Sequence, residues 1–392
     1  MSYYRTRLQE LDLSHNQLMS IRSIESLSAL TTLDLSSNHL STVDLASPLS
    51  NLRSLKLSNN QFYNLDVGVF PSLTLLYLDQ NYLSTVSGLN QCRNLEILSA
   101  REQTMSAENN NGFFDIDLGL VKDVRKVYLS SNRLSLQSLS PSTPLLSLQL
   151  LDAASCNIQA LPADFALNFP NVKVLNLNFN SLTGINELVG MNCLSRLTAA
   201  GNCISRMRRL CQVLSVIGRT NKNKICSLHK VDVRGNPLTV RFYPPAVTGN
   251  GRTGGAKQLS TRTEKPAVQE GGGLDIPSAL AEFQHEDHDL NRPIFEGEEP
   301  DVDDEHETEI NDPYTLPPAD IQADLKYLAH LDRPTRLRRS IFELMLYAGT
   351  GGSVKVLDGL DLRPALEEGS DMDRAWVKLE KLGVLKRKAI TS

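Results

Sequence analysis

Leu8-Gln-Glu-Leu11-Asp-Leu13-Ser-His-Asn16-Gln-Leu18 is the stretch that decides the fold. Its frame returns as Leu30, Leu33, Leu35, Asn38, Leu40, and again as Leu52, Leu55, Leu57, Asn60, Phe62. The polar rung then continues through Asn81, Gln103, Asn132, Cys156, Asn180, Asn202 and Asn236. One such unit cannot bury its own apolar face, so neighbours must stack into a curved solenoid lined by a parallel sheet. Each rung side chain can bond the backbone at the turn leaving the strand, where polar groups would otherwise be buried without partners.

This is the leucine-rich-repeat pattern. It predicts an α/β solenoid, a horseshoe with a parallel concave sheet, over residues 1–243. Most rungs lie 21 to 24 residues apart, which implies extended or 3₁₀ outer segments with few full helices. Two gaps are longer. Glu108 to Lys122 reads as an insertion loop rising from the edge. Arg206 to Ile217 is long enough for a helix with Met207, Leu210, Leu214 and Ile217 on one face.

A net charge of -5 and pI near 5.9 argue against general nucleic-acid or membrane-surface binding. The cysteines form no CxxC pair, so reduced thiols of an intracellular protein are the better reading. No apolar run approaches membrane-spanning length. The chain enters its first repeat almost at once, without an amphipathic cap, and is expected to be part of a longer protein.

After Pro244 the composition changes. Thr248 to Gly273 is rich in Gly, Thr and basic residues, and Glu282 to Asp312 is dominated by acid. With little apolar surface to offset ordering entropy, 244–317 is expected to be a disordered insertion. A helical cap is expected over 318–392, beginning with a helix whose apolar face is Ile321, Leu325 and Leu328. Arg336-Leu-Arg-Arg-Ser-Ile-Phe-Glu-Leu-Met-Leu-Tyr-Ala-Gly349 echoes Arg206-Met-Arg-Arg-Leu-Cys-Gln-Val-Leu-Ser-Val-Ile-Gly218. Each then leads into a strand, so the cap holds one more repeat displaced by the insertion. Ser370 and Asp373 have loose capping-box spacing before a last helix through Trp376, Leu379 and Leu382.

Three irregular features go beyond the repeat: Leu95-Glu-Ile-Leu-Ser-Ala-Arg101-Glu102-Gln103, Val354-Lys-Val-Leu-Asp-Gly-Leu360, and Trp376 before Leu382-Gly-Val-Leu385. With these the chain resembles the C-terminal leucine-rich-repeat region of the fungal spindle-pole-body scaffold of the septation-initiation and mitotic-exit networks, related to animal centriolin. The resemblance implies a scaffold on the cytoplasmic face of a microtubule-organising centre. Its implied partners are proteins: a spindle-pole anchor protein and components of a Ras-like GTPase and kinase module. The family's long N-terminal part is absent from this sequence, and the insertion has no counterpart among the family's roles.

Residues alternating with the core leucines should line the concave face. Leu75, Tyr77, Ile97, Arg101, Glu102, Tyr128, Leu150, Val174 and Phe179 fall at or near it, and aromatic and Arg anchors beside aliphatics suit protein binding. Arg101 and Glu102 could equally pair with each other or with neighbouring rungs. Ser140 and Thr143, each before a proline, fit a minimal proline-directed phosphorylation motif. His285-Glu-Asp-His288 misses the helical zinc spacing by one residue and lies in the acidic segment. No glycine-rich phosphate loop or framed nucleophile is present. The expectation is a non-catalytic scaffold with no cofactor, no nucleic acid and no membrane partner. The alternatives are a repeat-containing regulatory subunit of a protein phosphatase, or the repeat portion of a larger signalling enzyme.

Overall fold

Each repeat contributes a three-residue strand whose central apolar side chain enters the core while its neighbours face outward, the period-two geometry of a strand. A computed structural model describes residues 7–22, 24–104, 112–218, 227–244, 313–362 and 371–383. The strands are β1 (Glu10–Asp12), β2 (Thr32–Asp34), β3 (Ser54–Lys56), β4 (Asn64–Asp66), β5 (Leu75–Tyr77), β6 (Thr85–Ser87) and β7 (Ile97–Ser99). They continue as β8 (Lys126–Tyr128), β9 (Leu150–Asp152), β10 (Val174–Asn176), β11 (Arg196–Thr198), β12 (Lys230–Asp232), β13 (Val356–Leu357) and β14 (Leu360–Asp361). The helices are α1 (Phe165–Asn168), α2 (Met207–Leu214), α3 (Ile321–His330), α4 (Arg333–Thr350) and α5 (Asp371–Lys381).

The fold is a leucine-rich-repeat solenoid. Twelve strands form one sheet in the order β1-β2-β3-β5-β7-β8-β9-β10-β11-β12-β13-β14. Its pairs are parallel up to β12–β13, and β13–β14 closes it antiparallel. The outer side is built from 3₁₀ turns, the short α1 and a second parallel pair, β4 with β6. Leu33, Leu55, Leu76, Leu98, Val127, Leu151, Leu175, Leu197 and Val231 are fully buried and run as one row through the core.

The polar rungs stitch successive repeats together. Asn38 Oδ1 accepts the Leu18 N–H at 3.0 Å, while its Nδ2 donates to the Leu13 and Leu35 carbonyls at 2.9 and 3.0 Å. Asn60, Asn180 and Asn202 repeat this arrangement. Gln103 fits despite its extra methylene, accepting from Leu83 and donating to the Leu78 carbonyl. The residue before each rung takes a left-handed turn, with φ between 53° and 59° at Ser37, Glu102, Ser131, Ser155 and Phe179.

Two sequence expectations are corrected here. Residues 105–111 lie outside the described set, but 113–122 do not form a loop rising from the edge. Phe114, Ile116 and Leu118 are buried. The Phe114 N–H donates to the Arg133 carbonyl and the Asp115 N–H to the Ser84 carbonyl, so this stretch is an outer segment of its repeat. The second correction concerns α3. Ile321 and Leu325 are 63% and 54% exposed, and the side chain turned inward is Asp324. The Arg339 guanidinium meets it with two hydrogen bonds of 2.9 and 2.8 Å, and that pair orients the helix.

α4 is wedged between two partners. Phe342 and Leu346 join the main core beside α2, while Leu344 packs with Ala375, Trp376 and Leu379 of α5. Pro334 sits in the first turn of α4, where a missing N–H costs nothing, behind the Asp332 cap. β13 adds to the sheet directly after β12, pairing Lys230 with Val356 and Val231 with Leu357. Ser370 and Leu385 fall outside the described residues, as does His285 to His288.

Candidate protein-binding face

The register of the sheet gathers the residues that face outward from it into columns. Leu75, Ile97, Lys126, Leu150 and Val174 are successive neighbours in one. Tyr77, Ser99, Tyr128, Asp152 and Asn176 are neighbours in the next. Leu75, Tyr77, Ile97, Arg101, Tyr128, Leu150 and Val174 are all half-buried there. Lys126 interrupts the aliphatic column. Glu102 and Phe179 lie one step off this surface, in the left-handed turns at its rim, each with φ of 56°. Phe179 is 38% exposed and lies against Gly201, where a Cβ would come within 2.7 Å of its ring.

Arg101 and Glu102 do not pair with each other; each reaches another rung. Arg101 Nη2 donates to Asp152 Oδ2 at 2.8 Å, and the guanidinium lies 4.6 Å from the centre of the Tyr128 ring. Glu102 Oε2 accepts from Gln80 at 3.0 Å. Below Arg101, Asp79 Oδ1 accepts the Ser99 hydroxyl at 2.6 Å and the Arg101 N–H at 2.7 Å. Burial pushes the Asp79 carboxyl above its ordinary range, against these bonds, and burial beside Asp79 raises the Tyr77 phenol.

Sequence reasoning missed what covers this surface. Residues 313–317, expected within the disordered insertion, lie across the middle of the concave face. The Tyr314 hydroxyl donates to Glu102 Oε1, and its ring lies 5.5 Å from the Arg101 guanidinium. The Tyr314 carbonyl accepts from Asn178 Nδ2 at 3.0 Å and from Asn176 Nδ2 at 3.3 Å. Two strands further on, Arg234 Nη1 donates to the Pro317 carbonyl at 2.9 Å. Burial and the Glu102 carboxylate push the Tyr314 phenol well above its usual value, so it stays a neutral donor. No local pattern marks Tyr314, because its partners lie far upstream.

The far end of the face carries acid against base. Arg234 forks onto Asp232, with its closest approach 2.6 Å. Beside them Asp358, fully buried in a left-handed turn, accepts the Val233 N–H at 2.6 Å. Its own N–H donates to the Val231 carbonyl, so the Lys-Val-Leu-Asp-Gly segment supplies the last rung. Burial, then Asp232, push the Asp358 carboxyl up to about 7.

Ser140 and Thr143 belong to the outer segment between β8 and β9 and are not gathered with the concave set. The Thr143 hydroxyl donates to the Gly119 carbonyl at 2.7 Å. Cys92, Cys156 and Cys211 are buried free thiols, which burial pushes up to about 11, 12 and 12. Among the described residues no group of three or more His, Cys, Asp or Glu converges to hold a metal ion. Among them, too, no helix is long and apolar enough to cross a membrane.

Two leucine-rich-repeat family models match parts of this chain. The model for leucine-rich repeats in two copies matches residues 6–49, and a second leucine-rich-repeat model matches 146–204. Among solved structures, the LRIM1 leucine-rich-repeat domain aligns at 24% identity and TM-score 0.44, covering 60% of this chain and 69% of that one. The functional domain of InlJ from Listeria monocytogenes aligns at 19% identity and TM-score 0.41, covering 60% and 55%. Among curated proteins, the septation initiation network scaffold protein cdc11 of Schizosaccharomyces pombe is 40% identical over 238 residues, 61% of this chain. The chain spans 21% of that relative's length. The chain thus carries leucine-rich repeats and is similar, over 61% of its length, to a segment of a septation initiation network scaffold.

Proposed function

We propose that this chain is the protein-binding part of a non-catalytic scaffold, acting in septation or mitotic-exit signalling. One observation carries the reading: a twelve-stranded sheet presents Tyr77, Tyr128, Arg101 and an aliphatic column together on its concave side. Rigid aromatic and Arg anchors of this kind suit protein recognition, with little side-chain entropy left to lose. Similarity to a septation initiation network scaffold supports the cellular setting. By the family resemblance, the chain docks on a spindle-pole anchor protein at the cytoplasmic face of the pole. The GTPase and kinase components gather on the same assembly. Ser140 and Thr143 are phosphorylation sites in this reading, and a phosphate on Thr143 would remove its bond to Gly119.

The test is fluorescence imaging of the tagged chain through the cell cycle of a fission yeast. Foci at the spindle poles are expected. Diffuse or nuclear signal from a well-folded chain would overturn the pole location and favour a soluble regulatory subunit.

A further inference from the structure

Tyr314 is buried, at 8% exposure, yet belongs to neither apolar cluster of the molecule. What holds it is polar: a carboxylate on its hydroxyl, a guanidinium near its ring, and two asparagine amides on its carbonyl. Three residues on, the Pro317 carbonyl is held by Arg234. Tyr314 meets side chains of the β10 repeat and Pro317 one of the β12 repeat. The chain turns at Pro313–Tyr314 and bends at Thr315 before reaching Pro317, whose partner Arg234 belongs to a repeat two strand spacings, roughly 10 Å, further on. Every contact named uses a main-chain carbonyl or the phenol, groups that any Tyr-x-x-Pro peptide would offer in the same order. Pro313, Pro317 and Pro318 lower the entropy lost on docking, because proline restricts the undocked chain.

The rest of the cap has attachments of its own. β13 pairs with β12, and α4 packs on the core through Phe342 and Leu346. The segment is thus seated like a ligand, held by polar groups of the face and not by the apolar core.

We propose that the concave surface from Glu102 to Arg234 is a receptor for a Tyr-x-x-Pro peptide that bends after its tyrosine, filled in cis by Tyr314-Thr-Leu-Pro317 and open to the same peptide from a partner protein. This rests on the scaffold reading and names its ligand class. Tethering holds the cis segment at a millimolar effective concentration, so a partner must displace it and binds more weakly than the bare site would allow. Glu102 selects tyrosine over phenylalanine, since without the hydroxyl a part-buried carboxylate loses its donor.

The experiment uses the full chain and the Tyr314→Ala/Pro317→Ala variant, with a fluorescein-labelled Asn-Asp-Pro-Tyr-Thr-Leu-Pro-Pro-Ala peptide read by anisotropy up to about 1 mM, the scale tethering sets. The variant, with an unchanged melting curve, is expected to bind at least about tenfold more tightly than the wild type. The same peptide with Phe for Tyr should bind several-fold more weakly, and with Ala should not bind. Equal binding of the Tyr and Ala peptides, or none to a folded variant, overturns the proposal. A variant that does not fold overturns it as well, because the segment would then be structural. Tyr77→Ala, outside the contacts named for the segment, keeps the broader reading separate: pole foci lost with Tyr77 but peptide binding intact would fault only the assignment of partner to site.

Discussion

Arg339 and Asp324 face each other across the junction of α3 and α4, joined by two hydrogen bonds of 2.9 and 2.8 Å with both residues 6% exposed. The guanidinium also donates to the Phe242 carbonyl at 2.9 Å and to Glu343 at 2.9 Å. Burial works against the Arg339 charge, but Asp324 and Glu343 outweigh it and hold the group above its ordinary value. Burial in turn raises the Glu343 carboxyl against the pull of Arg339.

Removing one partner of this pair strands the other. Arg339→Ala is expected to destabilise the cap by about 3–5 kcal/mol, the usual cost of an orphaned buried charge. Trp376, the single tryptophan, is buried in the α4–α5 cluster and reports cap unfolding in urea. Asp324→Leu with Arg339→Met should recover much of the loss. A cap melting normally in Arg339→Ala would show that the pair contributes nothing net.

The repeat frame made the solenoid legible, because each Leu-x-x-Leu-x-Leu-x-x-Asn copy carries its own burial pattern and its own rung. The apolar stripe of α3 misled for a physical reason. Ile321, Leu325 and Leu328 have helical spacing, yet Asp324 stands at one edge of that stripe, and its pairing with Arg339 turns that edge inward and leaves Ile321 and Leu325 exposed. The concave columns followed from strand alternation, while their cover did not. The Tyr314–Glu102 contact spans 212 positions and leaves no periodic trace.

Stability should depend on pH through Asp358. Its folded value of about 7 lies above the ordinary 3.8, so the folded chain binds the extra proton between them. Stability from this group is therefore full below about pH 4 and is lost as pH rises toward 7, with a slope of at most about 1.4 kcal/mol per unit. Asp358→Asn suits the left-handed turn and cannot titrate. Wild type minus variant, from urea melts between pH 4 and 8, should fall across that window; parallel curves would rule the effect out.

Tyr77→Ala with Tyr128→Ala removes two half-buried rings from the concave face without opening the core row behind them. Tyr128 stacks on Arg101, so some local loosening is expected, on the order of 1 kcal/mol. Pole foci should weaken while circular dichroism and melting stay close to wild type. Undiminished foci from the folded double variant would move the anchor off this face.

Cys156 is the weak rung of the ladder. Its thiol lies 3.1 and 3.2 Å from the Leu129 and Ala154 carbonyls, a poor donor in place of an amide. In other rungs an asparagine oxygen also accepts an N–H of the preceding repeat, as Asn180 does from Ile158. A sulfur supplies only a weak acceptor for that purpose. Cys156→Asn is expected to raise stability by about 1 kcal/mol, one net hydrogen bond. The site is fully buried, so a slightly larger side chain must fit against Leu129 and Ala154. A higher urea midpoint with unchanged slope would show that the rung, not the packing, sets the balance. A lower midpoint would show that overpacking outweighs the gained bond.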